Sequence, residues 1–149
     1  MQYKFFALIS RMRYIARWGL MRNTFQENIQ EHSHMVAVLA HGLALIQRDI
    51  LGQPADPDRC ATAALFHDAS EILTGDLPTP IKYYNPEIKK AYKQVEAISC
   101  EKLMGFCRRS SRPGTWSFLR QKSRPGRRLQ ICTCHAWTIS WSISSTASV

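Results

Sequence analysis

The sequence predicts an all-α protein: a bundle of about four helices over residues 1–104, then an irregular tail over residues 105–149. Three observations predict it. Apolar residues recur near the 3.6-residue helical period in four separate segments. Helix-start residues stand ahead of three of those segments. Acidic residues and helical periodicity both stop after Met104.

The first helix is expected over residues 4–17, where Phe5, Leu8, Ile9, Met12 and Ile15 fall near one face and Gly19 closes the pattern. The second opens at Asn28, a capping residue with Glu31 three positions later in a capping-box arrangement. Its stripe is Val36, Leu39, Leu43 and Ile46, and Gly52 and Pro54 end it. The third is expected from about Asp58, its cap, to Thr74, with Ala61, Ala64, Leu65, Phe66, Ile72 and Leu73 as apolar surface. Two prolines make Gly75-Asp76-Leu77-Pro78-Thr79-Pro80 a stiff loop. Asn85-Pro86 opens the fourth helix, with proline at its first position. Ile88, Tyr92, Val95 and Ile98 read as its inner stripe, and Lys89, Lys90, Lys93 and Glu96 as its outer face.

After Met104 the text changes. Residues 105–149 hold nine serines, together with Gly105, Pro113, Gly114, Pro125 and Gly126. Trp116, Trp137 and Trp141 follow no stripe, so local choices no longer agree with a helical fold.

The formal net charge of +9 belongs to this tail. Residues 1–104 carry 12 Lys/Arg against 11 Asp/Glu, whereas residues 105–149 carry 8 Lys/Arg and no acid. With 149 residues and 45% hydrophobic content, one domain with a sizeable core is expected. No apolar run approaches the roughly 20 residues of a membrane span. Arg11 and Arg13 cut short the apolar N-terminal stretch, which argues against a signal peptide. Five cysteines, an odd number, argue against a disulfide framework. A cytoplasmic protein with reduced thiols is the expectation.

His67-Asp68 is the first chemical signal. An ionisable pair beside Ala64, Leu65 and Phe66 is costly unless compensated, and a divalent cation compensates imidazole and carboxylate together. On one continuous helix Glu71 would project between the two, about 40° from His67, at about 100° per residue. A carboxylate there could move a proton at an activated water. His32 shares a face with Val36 and Leu39 and should point inward, towards the third helix. Singly, each residue has a plainer reading: His32 a hydrogen-bonded core histidine, Glu71 a solvated helix residue, Asp76 a turn residue. His34 and His41 fall off the His32 face and read as surface or packing residues.

The combination is sharper. Glu31-His32, His67-Asp68-Ala69-Ser70-Glu71 and Thr74-Gly75-Asp76-Leu77-Pro78-Thr79-Pro80, in that order, resemble the HD superfamily of metal-dependent phosphohydrolases. More narrowly, the chain resembles the YfbR-type 5′-deoxynucleotidases, which Arg17-Trp18 and Leu20-Met21-Arg22-Asn23 ahead of Glu27-Asn28 also match. The resemblance covers about residues 3–104. It implies an HD-domain helical bundle. It implies that His32, His67 and Asp68 are three of four metal ligands and that Glu71 is the catalytic carboxylate. It implies that Arg17 and Trp18 contact the nucleotide, and that Asp76, Leu77, Pro78 and Thr79 meet sugar and phosphate. The implied reaction is hydrolysis of deoxyribonucleoside 5′-monophosphates to a deoxynucleoside and phosphate. The implied cofactor is a divalent ion, cobalt first and manganese or another as alternatives. The implied assembly is a cytoplasmic homodimer. Arg17 suits a phosphate because a guanidinium pairs with it bidentately, and Trp18 offers a flat face to a sugar or base.

The chain departs from this pattern in one respect. The family's fourth ligand is an aspartate on a later helix, and residues 105–149 contain no Asp or Glu. The expected origin is a reading-frame shift near residues 104–106; sequencing the encoding DNA tests it, and the absence of an acid-containing helical continuation in another frame would count against it. The expected consequence is weaker metal binding, lower stability and activity far below that of an intact relative. Two other readings rest on the tail. Arg108, Arg109, Arg112, Arg120, Lys122, Arg124, Arg127 and Arg128, interleaved with Trp116 and Phe118, could hold single-stranded nucleic acid. Cys132-Thr133-Cys134-His135, with Cys107, could hold zinc, although the spacing is not that of a standard zinc module.

Overall fold

The computed structural model describes residues 4–19, 25–82 and 84–107. The Leu20–Asn23 motif and the tail signals from Arg108 onward, the Cys132–His135 cluster included, lie outside the described residues. Among those described, all regular structure is helical apart from one isolated bridge.

Helix α1 spans Phe5–Ile9 and tightens into a 3₁₀ turn over Ser10–Tyr14, where the Ser10 hydroxyl donates to the Ala7 carbonyl. The expected helix over residues 4–17 therefore ends early. Ile15 is extended, and Ala16 pairs antiparallel with Asn28. Arg17 N–H donates to Glu27 O, and Ile29 N–H donates to Ile15 O. These bonds replace the helical partners that residues 15–17 would otherwise need.

Helix α2 spans Ile29–Leu45 and closes in a π-helical turn over Ile46–Ile50. Its capping box forms as expected: the Asn28 side chain accepts from Glu31 N–H, and Glu31 accepts from Asn28 N–H. Val36, Ala37 and Ala40 pack against Ala64 of α3, which spans Pro57–Leu65. Small side chains on both helices let the backbones approach closely. The cap of α3 is Asp56, which accepts from Arg59 N–H ahead of Pro57. Asp58, the expected cap, is exposed and lies 3.6 Å from His41.

The expected single helix to Thr74 breaks. Residues 66–70 are turns in which amides bond three residues back, as in Phe66 to Ala63 and Ala69 to Phe66. Helix α4 is then one turn, Glu71–Thr74. Gly75 leaves it at φ +73°, a conformation that strains any residue with a Cβ. The expected loop over residues 75–80 is shorter than that: α5, one turn at Thr79–Lys82, begins inside it. Proline is compatible with a first helical turn, where its missing N–H is not needed.

Helix α6 spans Pro86–Gly105, capped by Asn85 with Pro86 at its first position. The inner stripe differs from the one expected. Ile88, Val95 and Ile98 are 37%, 47% and 52% exposed, whereas Ser99, Cys100 and Leu103 are buried. Leu103 and Cys107 pack on Phe5 and Ala69, so α1 and the 66–70 turn select the face. A second cluster joins Met12, Ile29 and Ile72. Phe66 and Ala69 of the 66–70 turn pack in the Leu103 cluster, and Ala64 and Ile72 on either side of the turn belong to the other two. No helix among the described residues is long and apolar enough to cross a membrane.

Candidate metal centre

The 66–70 turn and α2 bring three donors together. His32 is buried on the inner face of α2, as its register with Val36 predicted. His67 and Asp68 stand on the turn rather than on a helix. One ligand atom from each of the three lies within 4.8 Å of the others. The His32 and His67 rings are 5.3 Å apart between centroids.

The hydrogen positions follow from the partners. His67 Nδ1–H donates to the Ala64 carbonyl at 2.7 Å. A carbonyl only accepts, so in the neutral ring Nε2 carries the lone pair. That lone pair lies 2.9 Å from Asp68 Oδ2. A cation shared between them, a proton or a metal ion, offsets the repulsion of two acceptors this close. The third donor suits an ion: His32 Nε2 is buried without a hydrogen-bond partner and stands 3.7 Å from the same carboxylate oxygen. Two imidazoles and a carboxylate are ordinary ligands for a divalent ion, so the residues fit a metal. Burial first, and the Arg17 charge next, lower the His32 pKa to about 3, which keeps the ring neutral and able to ligate at neutral pH.

Arg17 sits at the edge of this cluster. Its Nη1 pairs with Glu27 and lies 2.7 Å from His32 Nδ1. A guanidinium only donates, so His32 Nδ1 accepts and the ring's hydrogen is on Nε2. For His32 to ligate through Nε2, that hydrogen would have to move to Nδ1 and Arg17 would have to withdraw towards Glu27. Arg17→Gln, whose carbonyl accepts from Nδ1–H, is therefore expected to tighten divalent-metal binding by roughly three- to tenfold, about the worth of one hydrogen bond. Isothermal titration of the two proteins with Co²⁺ checks this; weaker binding by the variant would count against it. Trp18 is next to Arg17, its ring 5.2 Å from the guanidinium, and holds φ at +60°, which is strained for a non-glycine residue.

A second cluster lies beside the first. Glu71, the first residue of α4, is buried and receives a hydrogen bond of 2.8 Å from Lys82 Nζ. Its backbone N–H donates to Asp68 O, which ties it to the His67–Asp68 turn. Burial first, and the Asp68 charge next, push its pKa up to about 7 against the opposing pull of Lys82. Burial opposes the charge on Lys82, but the Glu71 carboxylate outweighs it and holds the ammonium above the ordinary lysine range. Asp76 lies 3.7 Å from the same Nζ. Leu77 and Pro78 are half-buried on the loop, and Thr79 opens α5, its side chain outside the described part.

Sequence reasoning missed Glu27 and Lys82. Glu27 meets Arg17 through the Ala16–Asn28 bridge, ten residues on, and Lys82 meets Glu71 across a loop. Ten residues is not a helical period, and the eleven from Glu71 to Lys82 are interrupted at Gly75, so helical projection links neither pair. The two prolines flanking Thr79 were the one available sign that the chain doubles back there.

The model of the family described as 5′-deoxynucleotidase YfbR-like matches residues 4–130, which runs beyond Met104. A 5′-deoxynucleotidase of Vibrio parahaemolyticus is 55% identical over 102 residues, 68% of this chain and 53% of that protein. The 5′-deoxynucleotidase YfbR of Escherichia coli is 52% identical over 103 residues, 69% of this chain and 52% of its own length. The chain thus spans about half the length of the curated relatives it matches. Among solved structures, an HD-domain phosphohydrolase of Listeria innocua matches with a TM-score of 0.68 at 23% identity, over 94% of this chain and 64% of that one, and supports the fold. The HD phosphohydrolase of cyanophage S-2L, solved with dA and one catalytic Zn²⁺ ion, matches with a TM-score of 0.51 at 26% identity, over 98% and 83%.

Proposed function

Because the chain belongs to the YfbR-like 5′-deoxynucleotidase family, we propose that it hydrolyses deoxyribonucleoside 5′-monophosphates to a deoxynucleoside and inorganic phosphate, with a divalent metal held by His32, His67 and Asp68. The observation that carries this reading is the convergence of one ligand atom each from His32, His67 and Asp68 within 4.8 Å of one another, with His32 buried. A divalent ion held there supplies Lewis acidity, drawing charge from a phosphoryl oxygen and making water a stronger acid.

The chain's own residues supply the rest. Glu71 accepts the proton of the water that attacks phosphorus, and a carboxyl titrating near neutrality suits that task. Arg17, once withdrawn from His32, pairs with the phosphate. Trp18 lies against the sugar or base, and Asp76 accepts from a sugar hydroxyl, with Leu77, Pro78 and Thr79 completing the loop. Cobalt is the working metal of this reading, with manganese as the alternative, and a cytoplasmic homodimer is the working assembly. The Zn²⁺ of the cyanophage relative supports a divalent ion in general. Residues 105–149 contain no Asp or Glu. A donor set limited to His32, His67 and Asp68 is expected to hold metal more weakly, and to turn over more slowly, than one that a further carboxylate completes.

The test is phosphate release from each deoxyribonucleoside 5′-monophosphate by the purified full chain, with Co²⁺, Mn²⁺ or chelator. Slow, metal-dependent release, faster for deoxyribose than for ribose, is expected. Release unaffected by chelator, or none with any metal, would overturn the reading.

A further inference from the structure

We propose that Lys82 is a positioning residue that fixes the direction of the Glu71 carboxylate and draws the Asp76 loop against it. The inference rests on the proposed roles of Glu71 and Asp76. Lys82 Nζ donates to Glu71 Oε1 at 2.8 Å and stands 3.7 Å from Asp76 Oδ1, so one ammonium joins the proton acceptor to the sugar loop. The Tyr92 ring of α6 lies 5.2 Å from Nζ and holds it from the far side by cation–π attraction.

The backbone makes this clasp a closed ring. Gly75 N–H donates to Glu71 O at 2.8 Å, which anchors the start of the loop on α4. The Pro78 carbonyl accepts from Ile81 and Lys82 N–H, which anchors its end on α5. Lys82 returns from α5 to Glu71 and closes the circuit. The Glu71 side chain is 4% exposed and that of Lys82 18%. A buried ion pair is no more stabilising than apolar groups of similar volume. What this pair adds is a set direction for one carboxylate. The Asp76 contact is the longer of the two, so the effect falls first on the chemical step and second on substrate affinity.

Lys82→Met keeps an unbranched side chain of similar length and removes the charge. In the full chain with Co²⁺ and a deoxyribonucleoside 5′-monophosphate, maximal rate is expected to fall on the order of 10- to 100-fold, as for loss of a supporting partner of a site residue. KM should move by less than about threefold, the mark of an interaction used in the transition state. Lys82→Arg should recover part of the loss, and metal content should not change. A Lys82→Met protein with unaltered rate and KM would overturn the proposal and leave the deoxynucleotidase reading standing. If the unsubstituted chain shows no turnover, that reading fails and amide exchange decides: faster exchange at residues 75–77 in Lys82→Met, restored in Lys82→Arg, supports the clasp, and unchanged exchange overturns it. Lys82→Gln replaces the Met variant should that not fold. Unfolding of both would make Lys82 a purely structural residue and overturn the proposal.

Discussion

His67→Ala is expected to strip the divalent metal from the purified protein and, with it, any phosphate release. The argument runs through the Ala64 carbonyl. By accepting from Nδ1–H it fixes the tautomer and aims Nε2 at Asp68. Alanine removes that donor and leaves His32 and Asp68, of which His32 is already engaged by Arg17 through Nδ1. Loss of an outer-shell partner costs metal sites about 10- to 100-fold in affinity, so loss of a ligand should cost more than about 100-fold. Metal analysis of the two proteins checks this, with His34→Ala as control: His34 is exposed on the outer side of α2 and its loss should leave metal content unaltered. Equal metal in His67→Ala and the unsubstituted chain would remove the centre.

The parts of this centre that were legible in the sequence are those set by short-range chemistry. Asn28 and Glu31 satisfy each other's backbone groups within four residues, so the start of α2, and with it the inward register of His32, could be read directly. Asn85 and Pro86 announce α6 in the same way. The break after Leu65 could not be read, because a 3₁₀-like turn keeps nearly the same apolar spacing as the helix it interrupts. The continuous helical projection therefore placed Glu71 between His67 and Asp68. In the structure Glu71 begins a new helix and its carboxylate turns to Lys82. The face of α6 was misread for a different reason. Ile88, Val95 and Ile98 form as good a stripe as Cys100, Leu103 and Cys107, and only contact with Phe5 and Ala69, far away in sequence, selects the second.

Glu71→Gln is expected to lower phosphate release by on the order of 10²- to 10⁴-fold, the usual contribution of a positioned proton acceptor, with metal content unaltered. Single-turnover measurement with the chain in excess keeps slow rates readable. A metal-free experiment tests the same carboxylate without turnover. Burial, then the Asp68 charge, hold Glu71 near 7, against an ordinary glutamate value of 4.5. Between those values the folded chain keeps a proton that the unfolded chain has released. Its contribution is complete below about pH 4.5 and is lost as pH rises through about 7, so this group lowers stability with rising pH. His32 acts with the opposite sign: its depressed pKa makes its contribution fade as pH falls below about 6.5, equally in both proteins, and it cancels in the comparison. Glutamine stays neutral throughout. Thermal unfolding of the metal-free chains at pH 5 and pH 8 should show the glutamine variant gaining stability relative to the parent on the alkaline side. An identical pH response in both would mean that Glu71 is not held protonated by its surroundings, and its part in moving the proton would then need another source.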